Sequence, residues 1–366
     1  MSASTTEWGD NLPSMQVCPG GKVMGVWSLL RAVVGGVAFA LTFAGTPVFA
    51  MDGIPHGGGG GSGFTPPVGY GQAFASIQTA LAEESRVLRD ALLGRARSPA
   101  TAPDIWAAGN TGSTDFDGAT PVRSLRSGAI AGWDGPGLGD WRFGIAGGWS
   151  SSEEKPGLET GRADVKTWGA GGYFAGPIGP LRLIGGGAYE SHRFSVQRTD
   201  LVINPGDRYR SAFSGSTAEA FGELSAPFHR GSTYWAPFVR GTFGSVRTDG
   251  FLETGAANPM SGAAADQSFA WSEAGVRGSA PDLPFAPFLA LSWRRQLDGL
   301  VSTAHLSIKG VNFTTSGARL ARDSADVEGA LGTPLSRRIR LDLLYDGSFA
   351  SGFQANRISL RVKSQF

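Results

Sequence analysis

The chain has one cysteine, Cys18, in 366 residues. It lies upstream of a predicted cleavage point, so a processed chain holds no disulfide, no thiolate nucleophile and no thiolate metal site. A surplus of charge is also lacking: 32 Lys and Arg against 31 Asp and Glu leave a net +1, with no basic field to mark a nucleic-acid partner. Histidine is scarce, and His192, His229 and His305 are the three within residues 103–366. His192 with Glu190 and Ser191 can be drawn as a hydrolase group, but consecutive strand residues face opposite sides; a solvated loop histidine is the plainer expectation. No G-x-S-x-G, metal-ligand cluster or phosphate-binding Gly-Lys-Ser/Thr occurs. Catalysis, cofactors and metals are therefore not expected. Past the N-terminus, no segment is long and apolar enough for a transmembrane helix.

What the chain does have is repeated two-faced strands. In the final segment Ile358, Leu360, Val362 and Phe366 share one parity, while Arg357, Ser359, Arg361, Lys363 and Gln365 share the other. Ile339, Leu341, Leu343 and Tyr345 alternate with Arg338, Arg340, Asp342 and Asp346, and Leu289, Leu291 and Trp293 alternate with Ala290, Ser292 and Arg294. Trp141, Phe143, Ile145 and Trp149 follow the same rule. Alternate side chains on a strand face opposite sides, so one face is greasy and the other polar. Twelve such segments are predicted, near 103–112, 123–134, 140–151, 162–175, 179–195, 208–226, 233–247, 265–280, 285–296, 322–333, 338–349 and 355–366. Each reaches the roughly 9–11 residues that a tilted strand needs to cross a bilayer. An even count suits a bacterial outer-membrane barrel with lipid outside and a wet lumen.

The connections sort into two sets. Tight turns fall at 134–139, 176–178 and 281–284, rich in Gly and Pro, which supply the restricted or positive φ values. Longer ones fall at 196–207, 248–264 and 297–321, so short and long are expected to alternate along the chain, and the even strand count then places both barrel termini in the periplasm. Glycine numbers 56, about twice the usual fraction. Inside strands it lets a sheet curve and lets a lumen-filling element approach the wall. Ten Trp, six Tyr and 22 Phe suit interfacial aromatic girdles, although a soluble core would also use them.

The N-terminus reads as a secretory signal over 1–50: Lys22 and Arg31 precede an apolar stretch at 32–43, and Val48-Phe49-Ala50 offers a cleavage site. Met24 is an alternative start. Residues 51–69 form a Gly/Pro-rich flexible linker. From Gln72 to Leu93 there is no Gly or Pro, and Phe74, Ile77, Leu81, Leu88 and Leu92 recur at helical spacing, with Gly94 as the expected stop and Pro99 beyond. This gives an amphipathic helix over 70–97 and a barrel over 103–366. Twelve tilted strands give a bore of about 12–14 Å inside their side chains, and a helix is about 10–12 Å across. The helix is therefore expected to plug the pore; a helix on the membrane surface, or one paired with another chain, is the alternative.

A signal, a pore helix and a twelve-stranded barrel ending in Phe resemble the translocator domain of autotransporters, the type V secretion family. Asp140-Trp141-Arg142-Phe143-Gly144 resembles its third strand, Phe221-Gly222-Glu223-Leu224 its F-G-E-L, Thr248 to Gly255 its D-G-F-x-E-x-G, and Ala321 to Glu328 its A-R-D-A-x-V-E. The resemblance spans about 70–366. It implies an all-β membrane protein, a twelve-stranded antiparallel outer-membrane barrel that carries an N-terminal passenger to the cell surface. It also implies outer-membrane lipid, periplasmic chaperones and the barrel-assembly machinery as partners, the last reading a terminal signal at Ile358, Leu360, Val362 and Phe366. Ser364 departs from the usual hydrophobic residue. About 19 residues separate the cut from the helix, too few for a stacked β-helix, so a vestigial or absent passenger is expected. Some members cut themselves with an Asn in the helix, and residues 51–103 hold none.

A stand-alone adhesive or structural barrel using its long loops, or a porin-like channel, is the competing reading, with any surface partner unknown. Under either, Arg142, Lys166, Arg182, Glu219, Glu223, Arg240, Arg294, Arg340, Arg361 and Lys363 are candidates to face the lumen. Several are expected to pair with Glu83, Glu84, Arg86, Arg89 or Asp90 of the helix; the blander expectation is that they merely line a hydrated lumen.

Overall fold

The structure, a computed structural model, describes residues 70–98, 102–117, 121–156, 160–201 and 204–365. The proposed signal, the linker and Phe366 lie outside them. Twelve strands form the wall: β1 (Asp104–Phe116), β2 (Val122–Pro136), β3 (Arg142–Pro156), β4 (Thr160–Ile178), β5 (Leu181–Thr199), β6 (Arg208–Ser225), β8 (Thr233–Thr248), β12 (Ala265–Ser279), β13 (Phe288–Asp298), β16 (Asp323–Pro334), β17 (Ile339–Ala350) and β18 (Phe353–Gln365). Six short strands complete the set: β7 (Phe228–Arg230), β9 (Phe251–Leu252), β10 (Thr254–Gly255), β11 (Met260–Gly262), β14 (Val301–Ile308) and β15 (Val311–Arg319). Each wall strand pairs antiparallel with its chain neighbours, and β1 pairs β18 from Asp104↔Gln365 to Phe116↔Phe353, so the sheet closes without an edge.

Two helical stretches precede the wall, α1 (Gln72–Glu84) and α2 (Arg86–Arg97). Ser85 between them keeps right-handed helical angles, so they continue one another. Gly71 supplies the positive φ of 75° at the start; a Cβ there would lie 2.3 Å from Leu306 Cδ1. The expected stop at Gly94 is corrected. The helix passes through Gly94 and ends after Arg97, where Ser98 turns extended before Pro99. A residue before proline is pushed out of the helical region, whereas one internal glycine costs only about 1 kcal/mol, offset here by the ion pairs of Arg95 and Arg97 described below.

The helix runs along the barrel interior. Leu88, Leu92 and Leu93 bury against Ile130, Ala146, Tyr173 and Ile184 of the wall. Glycine makes the room: a Cβ on Gly169 would sit 3.1 Å from Leu88 and one on Gly171 2.9 Å from Leu92. The chain thus enters at the end of the barrel carrying the long connections and leaves for β1 at the end carrying the tight turns.

The long connections are more than loops. Residues 196–199 extend β5, while β9, β11, β14 and β15 form a separate four-stranded sheet, β15-β14-β11-β9. Met260, Leu306, Ile308, Ala318 and Leu320 from it bury with Phe74, Ile77 and Leu81 of α1 and with Phe116, Phe194, Phe269 and Phe353 of the wall. Strict alternation of short and long is corrected too, because β1 to β2, β3 to β4 and β17 to β18 are joined by short connections at the same end. The long ones cluster on one side because they supply the cap that reaches over the bore.

Lipid-facing and lumen-facing parities follow the sequence pattern only in the half of the wall nearest the tight turns. There Phe143, Ile145, Leu289, Leu291, Ile358, Leu360 and Val362 are exposed on the outer surface. Above the outward aromatics Trp149, Trp168, Tyr189 and Phe243 the pattern inverts: Val165, Phe194, Val196 and Phe269 point inward and are buried, while Lys166, Arg193 and Asp266 point outward. The strands outgrow the hydrocarbon layer, so their upper outer face meets water and their inner face meets the capped apolar core.

Candidate functional site

Every charged side chain of the helix from Glu83 to Arg97 finds a partner, and the partners descend the wall in steps. At the top Tyr70 donates to Asp200 (3.3 Å). Arg198 donates to both carboxylate oxygens of Glu253 through Nε and Nη2 (2.9 and 2.7 Å), with its guanidinium over the rings of Tyr70 (5.1 Å) and Tyr209 (4.6 Å). Phe74 stacks on Phe251 at 3.9 Å between ring centres. Thr79 donates to the carbonyl of Ala318 (2.9 Å), and Ser76 accepts from the amide of the same residue (3.0 Å), which stitches α1 to β15. The apolar cap leaves α1 few charged partners and many such short polar ones.

Lower down, the lumen is charged and narrow. Glu83 pairs with Arg294 (2.9 Å), Arg86 with Asp326 (2.9 Å), Arg89 with Glu219 (3.2 Å) and Asp90 with Arg357 (2.9 Å). Glu84 accepts from Ser124 (2.6 Å) and Ser152 (3.1 Å), with Arg126 at 3.8 Å. Arg89 and Arg294 also lie over the ring of the buried Trp271, at 4.7 and 5.6 Å, where desolvated cation–π contacts are worth up to about 2 kcal/mol.

At the turn end the helix is riveted. Arg95 donates to both oxygens of Asp134 (3.0 and 2.7 Å) and to Asp104 (2.7 Å), and Arg142 contacts Asp134 directly. Arg97 bridges Glu223 and Glu328, each at 2.7 Å. Glu223 is a hub that also binds Arg240 (3.1 Å) and Arg277 (2.6 Å). Arg142 and Arg182 donate to the carbonyls of Ser98 (2.6 Å) and Ala96 (2.8 Å), capping the helix C-terminus with positive charge.

Of the ten lumen candidates, Arg142, Arg182, Glu219, Glu223, Arg240, Arg294, Arg340, Arg361 and Lys363 face inward. Arg294 and Glu219 bind the predicted helix partners Glu83 and Arg89, and Glu223 binds Arg97, while Arg340 and Arg361 share Asp342 at 2.7 and 3.2 Å. Lys166 is corrected: it sits on the outer surface of β4, opposite Arg193, because it lies above the inversion. Sequence reasoning missed Asp104, Asp134, Asp326 and Arg357 on the wall and Arg95 and Arg97 on the helix. The two arginines fall inside the helix expected over 70–97 but past Gly94, outside the helix residues expected to pair, although basic residues in the last turn are a C-terminal signal.

His192 is also corrected. It is 1 % exposed in β5, wedged between Thr167 and Thr217 (2.9 Å each), not a solvated loop residue. Glu190 shares its face, whereas Ser191 points outward, so the three do not converge. The described residues contain no group of three or more His, Cys, Asp and Glu placed to hold a metal ion.

Comparison with known proteins agrees with this geometry. The sequence profile described as "Autotransporter beta-domain" matches residues 105–346. Two "Extracellular serine protease" chains of Serratia marcescens are similar at 26% and 25% identity over 315 residues, covering 81% of this chain. The chain spans 30% of the length of these curated relatives. Among solved structures, the translocator domain of autotransporter NalP from Neisseria meningitidis superposes with a TM-score of 0.65, over 78% of this chain and 96% of that one. At 13% identity that likeness is one of fold.

Proposed function

This chain belongs to the autotransporter β-domain family, as a barrel of the bacterial outer membrane, and from that premise we propose that it anchors and exports the polypeptide N-terminal to its helix. The observation that carries this is the path of the chain. The helix starts at Gln72 beneath the capping sheet, descends the lumen and joins β1 at the tight-turn end. With the tight turns in the periplasm, as short periplasmic turns and longer outer connections require, whatever precedes Tyr70 emerges at the cell surface. The helix is the trace left by passage through the pore, and its ion pairs hold it there afterwards. Residues 1–50 serve as the secretory signal in this reading. Outer-membrane lipid surrounds the wall, periplasmic chaperones escort the chain, and the barrel-assembly machinery reads the outward row Ile358, Leu360 and Val362 with Phe366. The barrel is assigned transport and no reaction.

The filled lumen speaks against a porin-like channel, since aromatic packing of Phe74, Phe116 and Phe353 occupies the upper bore. The cap sheet, which spends its apolar face on α1, speaks against long free loops as an adhesive surface.

The test places a cysteine at Ser62 in intact cells treated with a membrane-impermeant maleimide. Labelling of whole cells is expected. Labelling confined to opened cells would put the linker in the periplasm and end the export reading.

A further inference from the structure

The helix does not fill the lower lumen. The apolar side of α2 packs on the glycine-rich wall of β3 to β5, and its opposite side, with Asp90, Ala91 and Gly94, faces a cavity of about 720 Å³ lined mostly by β1, β12, β16, β17 and β18, with single residues of β2, β5, β7, β8 and β13. That volume lies within the range of about 300–1,000 Å³ typical of small-molecule sites. Nine lysines and arginines line it against four carboxylates. Asp342 is shared between Arg340 and Arg361, and Arg182 donates to a backbone carbonyl. Lys363 and the turn residues Arg337 and Arg338 line the cavity with no ion pair among the described residues. Trp106, 2 % exposed, borders the same space with an indole N–H that has no acceptor among the described residues.

From this geometry we propose that the cavity is a binding site for phosphate-bearing anions. Enclosure between the helix and the wall strengthens the field of the cations that line the space. Guanidinium forks match phosphate oxygens, and such charge-assisted bonds are about twice as strong as neutral ones. The apolar floor of Val87, Ile130 and Leu344 accommodates a non-polar portion of the ligand. Because the cavity opens at the turn end, the phosphate is supplied either by a soluble compound or by a lipid headgroup.

The full chain, folded in a non-ionic detergent, is titrated with tripolyphosphate by calorimetry at low and physiological salt. Saturable binding that weakens with salt is expected. Replacing Arg182 and Lys363 together by Gln should weaken it by roughly tenfold or more. Asp342, which lies near Lys363, keeps its pairs with Arg340 and Arg361, and Arg182 donates to a backbone carbonyl, so the variant should fold, which the heat-dependent shift in gel mobility verifies. Arg193→Gln, removing a cation from the outer wall at the other end, should leave the affinity unchanged. A parallel titration with phosphatidylglycerol in mixed micelles separates the sources: saturation by the lipid alone identifies a headgroup, and saturation by tripolyphosphate identifies a soluble ligand. Failure of both to saturate, or equal weakening by Arg193→Gln, overturns the assignment.

Discussion

Arg89 of the inner helix and Glu219 of the wall lie 3.2 Å apart with both side chains 1% exposed, and Ser85 donates to the same carboxylate oxygen at 3.2 Å. The two residues are 130 apart in the chain, so their contact ties the seat of the helix to closure of the barrel. Removing Arg89 leaves Glu219 dry without its cation, and removing Glu219 leaves Arg89 with Asp90 at 3.4 Å as its remaining carboxylate; breaking such a buried pair costs about 3–5 kcal/mol. Glu219→Ala is therefore expected to lower the unfolding temperature in detergent markedly, and Arg89→Ala/Glu219→Ala to lower it by less than the sum of the singles. Purely additive losses would show that the pair is not coupled.

Charge reversal probes the same seat through conductance. Glu223 holds Arg97, Arg240 and Arg277, and turning Glu219 and Glu223 to Lys sets each against its former partners. In planar bilayers this variant should conduct more than the parent, because the helix loses the anchors of Arg89 and Arg97 to the wall residues Glu219 and Glu223. Unchanged conductance would mean that packing, the cap contacts and the remaining ion pairs, such as those of Arg95 with Asp104 and Asp134, suffice to hold the helix.

Glycine at the helix seat is expected to be irreplaceable while glycine elsewhere is not. A Cβ at Gly171 would meet the carbonyl oxygen of Gly187 at 2.7 Å and Leu92 at 2.9 Å, whereas one at Gly109 meets nothing within 4 Å. Gly171→Val should destabilise by about 1–3 kcal/mol or more, and Gly109→Ala by less than half of that. Comparing the temperatures at which each barrel loses its compact gel mobility tests the contrast.

The outer surface makes a further distinction. Leu291 is half exposed in the apolar band, so Leu291→Arg should cost up to about 4 kcal/mol, depending on depth. Lys166→Leu, above the aromatic ring, should change folding into vesicles little. A large penalty for Lys166→Leu, or none for Leu291→Arg, would misplace the bilayer on the wall.

Much of this was legible in the sequence. Alternation in segments such as 339–345 and 357–366 is a local consequence of strand geometry, so twelve wall strands could be placed before any pairing was known. The unbroken helical spacing from Phe74 to Leu92, and the bore that a twelve-stranded wall leaves, pointed to a helix in the pore. The cap was not legible, since 260–262 and 301–319 form it only by pairing with each other and packing on Phe74 and Ile77. Within 301–319 the alternation of Ala304, Leu306 and Ile308 with polar residues, followed by a Lys309-Gly310 turn, marks a hairpin, but nothing local says that it packs on the helix.

The sequence by itself determined the strand count, the helix and the two-sided chemistry of the lower wall, because each rests on residue spacing within one segment. Tertiary structure alone decided which face is which above the aromatic ring, turning Lys166 outward and His192 inward. It also decided that Arg95 and Arg97, past an internal glycine, rivet the helix to Asp134, Asp104, Glu223 and Glu328. The physical reason is common to both: a side chain's surroundings depend on the height of its strand relative to the lipid and on partners far away in the chain, and neither is written in the local period.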